Sequence, residues 1–449
     1  MRQVFIVLGA LAGIALFVLF GAFAWGRLRP PTPAQAEALR LLQPATMPPG
    51  RNAWPLLWLI DYDVPADRID AAYAQERAHM QDWASHMPAN PSMTAMIYRP
   101  LAATQYSKRP AISNAEYRRL CAIGEHDCLA KVRAEGQPLR DLLARQSGRL
   151  AQVEAVNTAD ELWDDQPRSV YAFALSPGFQ NTEDLLLTAT VADFVDGRQA
   201  QALVAVCHQA AGLRRLHAHT NTVLGAMLTA VWMEADERAL AGMLGELPKD
   251  QVIPDECMRA FALPTQGDVS LCMPMQQEFA DFVAIMHEGN SGRQNVFERL
   301  QTAVMFDNRD FRLQAPTYAW ACQPSLQSDA LADRPLPMAS LLTVRNDFFD
   351  TLSNAGGFVL ARIAAPAFTQ YAARNQDYAA SLRLMAWLLR TRATATTAAA
   401  WQLQLTKALP TLRGKGRRNI SVDPDGRFLR MRYYATYPDH VELALSLMK

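Results

Sequence analysis

The opening of the chain, MRQVFIVLGALAGIALFVLFGAFAWGRLRPP, constrains everything that follows it. After Arg2 the run from Val4 to Trp25 is apolar and carries no charge. At about 1.5 Å per helical residue, about 20 such residues cross the hydrocarbon core of a bilayer. The apolar stretch of a removable signal peptide is ordinarily shorter, about 7–15 residues. Length therefore favours a retained transmembrane anchor over residues 1–26. The triplet AFA at 22–24 offers a small-x-small cleavage site and keeps the signal-peptide alternative open. Trp25 suits the head-group layer. Arg2 and the free amine stand on one side, Arg27 and Arg29 on the other, so the charge bias is nearly balanced. Anchor or signal, the downstream chain is expected outside the cytoplasm. Arg far outnumbers Lys and Ala is abundant, which fits a bacterial protein, so as an anchor the helix would make a single-pass protein of the bacterial inner membrane with its C-terminal domain in the periplasm.

The 44 Lys+Arg residues balance the 44 Asp+Glu, which gives no overall pull towards nucleic acid or acidic partners. With 50% hydrophobic residues the chain can bury a sizeable core. Residues 27–53 read as a Pro-rich tether with one short helix around Ala34–Leu42, its prolines keeping the flanks extended and the body off the membrane. The body, 54–449, opens on WPLLWLIDYDVP, and a sub-boundary is expected near 249–270. Asp63 and Pro65 open a helix reaching about Met87, with a Pro-rich break at 88–91.

Helical signals are densest over 181–247, where NTEDLLLTATVADFV, RQAQALVAVCHQAAGLRRL and NTVLGAMLTAVWMEADERALAGMLGEL show broad apolar faces separated by Gly197 and HAHTN. Short connections imply antiparallel neighbours. Further helices are expected at about 274–287 and 293–305, and apolar positions 368, 371, 378, 382, 385 and 389 mark an amphipathic one. In the tail, DPDG supplies a turn before a run with Leu429, Met431 and Tyr433 on one face. The expected fold is mainly α: an irregular multi-helix array of antiparallel helices with a short C-terminal β-hairpin, preceded by the transmembrane helix.

The stretch YRRLCAIGEHDCLAKVR poses the sharpest chemical question. Ser113–Glu116 is a capping box for a short helix over AEYRRLCAI, ended at Gly124, and Asp127 caps the next helix from Cys128. A thioredoxin-type centre needs Cys-x-x-Cys, and a structural zinc site needs a second ligand cluster beside Cys121, His126 and Cys128. A disulfide between Cys121 and Cys128 is favoured over free buried thiols and over metal. The remaining cysteines, Cys207, Cys257, Cys272 and Cys322, allow three pairings or free thiols.

Other groups invite chemistry and are read more plainly. His217 and His219 would share a face for a metal on a strand and diverge on a helix; the neighbourhood reads as a turn between helices, with no third ligand at a suitable spacing. Cys272, Met273 and Met275 are soft groups that suit Cu(I), yet methionines beside prolines ordinarily fill a core. Gly289-Asn290-Ser291-Gly292 lacks the spacing of a nucleophile elbow; Gly289 reads as a helix C-cap and Ser291 as the start of the next helix. Asp164 and Asp165 read as surface charge. The concentrated cationic run RGKGRR, with Arg413, Lys415, Arg417 and Arg418, is a candidate contact patch for anionic head groups or an acidic partner, or a solvated loop.

The order of parts resembles a group of uncharacterised, N-terminally anchored proteobacterial proteins. The matching features are the anchor, RNAWPLLWLIDYDVP, the C-x6-C corner, LRRLHAHTNTVLGAML, GGFVLARIAAPAFTQYAARNQD and the closing DPDGR. The resemblance implies topology and no chemistry. The expectation is a membrane-anchored periplasmic binding or scaffolding protein, non-catalytic and without cofactor or metal. It would meet the inner membrane through its first helix and an envelope protein partner through helical grooves, with no nucleic acid. The alternative is a cell-envelope hydrolase whose site is assembled from distant segments.

Overall fold

A computed structural model describes residues 2–87, 92, 94, 96–122, 124, 125, 127–169, 171, 182–291, 311–342, 348–437 and 440–447. The chain is predominantly helical, with one small antiparallel sheet at the C-terminus among the described residues. Helix α1, Arg2–Leu28, contains the apolar stretch Phe5–Leu28, which is long and apolar enough to cross a membrane. The same helix would also serve as a signal sequence. Its apolar side chains stand exposed until its last turns, where Gly26 is buried against Phe349 and Ser353. A Cβ at Gly26 would lie 2.5 Å from the Phe349 carbonyl, so only glycine permits this approach. Arg27 Nε donates to the Ser353 carbonyl at 3.1 Å, Arg29 pairs with Asp350, and Arg312 donates to the Gly26 and Arg29 carbonyls.

The expected tether is corrected in part. Helix α2, Pro33–Leu41, is capped by a Thr32–Gln35 box, and Ala38 and Leu42 are buried in the body's second core. Its apolar positions have the Phe311–Trp320 segment to cover, and burying them outweighs an extended spacer.

Helix α3, Ile69–Ser85, follows a short turn at Ala66–Arg68. Next come α4, Cys128–Arg145, which breaks direction at Gly136 (φ +56°), and α5, Ser147–Asn157. The dense stretch forms α6, Thr182–Val195, α7, Gln199–Ala218, and α8, Val223–Glu246. Gly197 at φ +92° turns the chain between α6 and α7, and Thr222 caps α8 by accepting from Gly225 N at 3.0 Å. Helix α9, Cys272–Ser291, runs through Gly289, so the expected C-cap there is wrong; the expected helix at 293–305 and the break at 88–91 lie outside the described residues. Helix α10, Ala355–Thr391, is far longer than the periodic stretch suggested, and α11, Ala398–Leu412, follows it.

Strands β1, Ile420–Val422, and β2, Phe428–Tyr437, form the expected hairpin, with Gly426 at φ +73° in its turn. A third strand, β3, His440–Ser446, pairs antiparallel on the other side of β2. Leu429, Met431, Leu443 and Leu445 are fully buried beneath the sheet.

Two cores result. The larger joins α4, α6, α7, α8, the C-terminal half of α10 and the sheet, and includes Trp232, Leu240, Leu382, Met385 and Trp401. The smaller gathers α2, the start of α8, α9, Phe311–Ala321 and Phe368. Cys257 and Phe261 belong to the first core, Leu271 and Met275 to the second.

Candidate functional site

The six cysteines stand as three pairs at disulfide distance: Cys121–Cys128, Cys207–Cys257 and Cys272–Cys322. The first is the staple expected at the corner. Its approach differs from expectation: the helix after the Ser113–Glu116 box spans only Asn114–Tyr117. Cys121 N–H donates to the buried Thr188 hydroxyl of α6 at 2.8 Å, a partner that helix propagation would forbid. Asp127 caps α4 as expected, accepting from Ala130 N at 2.9 Å. His126 lies outside the described residues. Glu125 pairs instead with Lys131 at 2.8 Å. Cys272 is joined to Cys322, so it offers no thiolate to Cu(I), and Met275 fills the second core. Among the described residues no group of three His, Cys, Asp or Glu side chains is placed to hold a metal ion.

The turn expected at HAHT begins later than its first histidine: α7 runs on through His217 and Ala218, and the two histidines part company. His217 is buried, bonded through Nε2 to Asn375 Oδ1 at 2.9 Å and through Nδ1 to Ala226 O and Thr229 Oγ1 at 3.1 Å, with its ring 4.1 Å from that of Tyr378. Burial lowers its pKa, favouring neutral imidazole. His219 is half-exposed beside Glu161 at 3.6 Å.

Sequence reasoning missed a seam of buried acids between α6, α7, α8 and α10. Glu183 accepts from Asn157 Nδ2 at 3.3 Å and Gln209 Nε2 at 3.1 Å, and burial pushes its carboxyl up to about 7. Asp236 and Glu237 are fully buried; Ser381 donates to Glu237 at 2.8 Å. Burial drives both well above the ordinary carboxyl range, with neighbouring acids adding to it. The signal was present in MEADERAL, acids inside a helix apolar on every side.

Asp164 and Asp165 are not plain surface charge. Asp165 accepts from Tyr73 Oη at 2.8 Å and pairs with Arg77. The Asp164 backbone exchanges hydrogen bonds with the Asn221 side chain at 2.7 and 2.8 Å, and burial pushes its carboxyl up to about 7. Glu278 on α9 is also pushed up to about 7, by burial and then by Asp281 and Asp164.

The basic run is corrected at one position. Lys415 and Arg417 are exposed and Arg413 is half-buried, but Arg418 is 1% exposed. It donates to Asp333 through Nε at 3.0 Å and Nη2 at 2.8 Å, and pairs with Asp377 on α10. Its guanidinium lies 3.7 Å over the Tyr434 ring. Arg418 therefore belongs to no contact patch; a buried cation with two carboxylates on offer is paired, not solvated.

That cluster fixes the floor of a groove. Asp377 also accepts from Tyr434 N and Ala435 N at 2.8 and 2.9 Å, which seats β2 on α10. Gln376 Nε2 donates to the Arg334 carbonyl at 2.8 Å and holds the following strip, Pro335–Ser340, alongside the helix. Between strip and helix lies a cavity of about 540 Å³ lined chiefly by Pro335, Leu336, Met338, Ala372, Ala373 and Tyr434. Its size falls within the range of ligand pockets, about 300–1,000 Å³. Two prolines in one wall supply no N–H donor, so apolar side chains suit the space.

No protein-family model, curated protein or solved structure matches the chain.

Proposed function

We propose that the chain is a membrane-anchored binding or scaffolding protein of the bacterial envelope, with its body in the periplasm and without catalytic activity. The observation that carries this reading is the apolar groove between Pro335–Ser340 and α10, of about 540 Å³. Its occupant is an apolar segment of an envelope protein partner. The solvent-facing apolar surface of α1 supports membrane attachment, and three cysteine pairs are compatible with an oxidising compartment. Seating of the sheet by Arg418 and Asp377 supports a groove formed before the partner arrives, which lowers the ordering cost of binding.

A photoreactive residue at Ala373, inside the groove, tests the reading in intact membranes against one at Leu403, outside it. A discrete protein adduct at 373 and none at 403 is expected, and its loss in Ala372→Trp supports the groove as the seat. Absence of any adduct at 373 overturns the reading. Cytoplasmic exposure of the Lys449 end in a topology assay overturns the location.

A second reading, an envelope hydrolase, is favoured by Asp164 and Glu278, two carboxyls each pushed up to about 7 chiefly by burial, where a side chain can give or take a proton. It expects turnover of an envelope polymer or lipid by the full chain, abolished in Glu278→Gln and Asp164→Asn alike. No turnover by the native chain across such a panel removes it.

A further inference from the structure

Helix α10 begins two residues beyond the contact that clamps the end of α1. Ser353 receives Arg27 and packs on Gly26, and Asn354 caps α10 by accepting from Gly357 N at 3.1 Å. The inward face of the first turns is built for close packing: Gly356 and Gly357 are buried, and Phe368 packs on Tyr318 with ring centres 5.0 Å apart. The opposite face carries Ala355, Val359, Arg362, Ile363, Pro366 and Ala367, spaced three and four apart and all exposed. Val359 is 53% and Ile363 69% exposed, and Phe348, on the clamped segment itself, is 61% exposed. Such a stripe of large apolar side chains calls for a cover.

The clamp says what covers it. Trp25 stands 59% exposed at the end of the apolar stretch, one residue before Gly26, so Phe348–Ser353 is held at the level where the hydrocarbon run ends. From Ala355 to Gln376 the sequence holds no acidic residue, while Arg362 sits in the exposed stripe with its guanidinium 5.4 Å from the Phe358 ring. Apolar side chains flanking a cation, without acids, match an anionic head-group layer. We propose that Phe348 and the Val359–Ile363 stripe of α10 lie in the head-group layer of the leaflet that α1 enters, forming a second, interfacial contact with phospholipid. The proposal rests on α1 being a retained anchor.

The test uses the full chain in bilayer nanodiscs of phosphatidylcholine and phosphatidylglycerol, with p-benzoylphenylalanine placed singly at 17, 359, 363 and 403. Phe17 reports on α1 itself; Leu403 is an exposed position on α11, which packs on β1 and, through Trp401, on Trp387. Lipid adducts at 17, 359 and 363 with none at 403 are expected by mass spectrometry. An adduct at 17 with none at 359 or 363 overturns the interfacial contact while the anchor stands. No adduct at 17 removes the anchor and the proposal with it. Protein adducts in place of lipid at 359 and 363 overturn the proposal by giving the stripe to a second copy or a partner. Equal adducts at 359, 363 and 403 overturn it as well, because the contact is then not localised.

Discussion

Arg418 and Asp333 are both fully buried and joined by two hydrogen bonds, of 3.0 and 2.8 Å, although 85 positions separate them in sequence. The guanidinium stands between Asp333 and Asp377, so it ties the loop after α11 to the turn before the groove and to α10. Removing one member of a buried ion pair leaves an uncompensated charge, at a cost of about 3–5 kcal/mol. Arg418→Met should destabilise the body by that amount in chemical denaturation and expose the C-terminal sheet to protease. Arg418→Lys should recover only part of it, because one ammonium cannot present the fork that meets both carboxylates.

The cysteine pairs rank by the loops they close. Cys207 and Cys257 are 50 positions apart and Cys121 and Cys128 only 7. In the chain-entropy view the longer loop contributes about 4 kcal/mol and the shorter about 2.5 kcal/mol. Cys207→Ser with Cys257→Ser should therefore lower the denaturation midpoint more than Cys121→Ser with Cys128→Ser. Titration of the unreduced native chain should find no free thiol.

Stability should fall as pH rises. Glu183 holds its proton to about 7 in the folded protein, whereas the unfolded chain releases it near the ordinary value of 4.5. Between these values the folded state binds more protons, so raising the pH favours unfolding, by about 3 kcal/mol for Glu183 across the window. Asp236 and Glu237, also raised well above the ordinary carboxyl value by burial, add to the loss in the same direction. Melting temperatures measured from about pH 5 to about pH 8 should decline, and Glu183→Gln should flatten the slope. A native chain equally stable at both ends would contradict this.

Two glycines should respond in opposite directions to alanine. A Cβ at Gly212 on α7 would sit 2.3 Å from the Asn157 carbonyl of α5, backbone that has nowhere to move. Gly212→Ala should cost about 1–3 kcal/mol. At Gly148 in α5 the nearest atom is Arg109 Nε at 3.6 Å, so Gly148→Ala should be neutral or stabilising by up to about 1 kcal/mol through helix propensity. Thermal shifts of the two single variants check the pair.

Periodicity made the helical body legible: the apolar faces at 181–247 became α6, α7 and α8, with Gly197 between the first two and α7 running two residues into the expected separator HAHTN, and the DPDG turn marked the first hairpin. Capping chemistry located the starts of the Asn114–Tyr117 helix and α4 for the same local reason. What escaped was non-local. Nothing near Arg418 in sequence announces Asp333 and Asp377, so a buried tie looked like one more surface cation. The burial of the α8 acids is signalled only by the apolar residues around them, while the partners they meet on α6 and α10 are set by packing at a distance in sequence. Helix α10 was read short because its first turns keep a small-residue face inward and an apolar face outward, the reverse of a soluble amphipathic pattern. The groove arises from a proline strip meeting a helix at a distance in sequence, and no local motif encodes it.

If α1 is retained as an anchor, the clamp around Gly26 makes it and the body a single lever. A membrane helix answers a change in bilayer thickness by tilting, at a modest cost per ångström of mismatch. With Arg27 and Arg29 fastened to the Phe348–Ser353 segment, tilt of such an anchor would not be absorbed at a hinge but would swing the whole body. The thickness of the surrounding lipid would then set the angle at which the molecule's far side meets whatever stands opposite it.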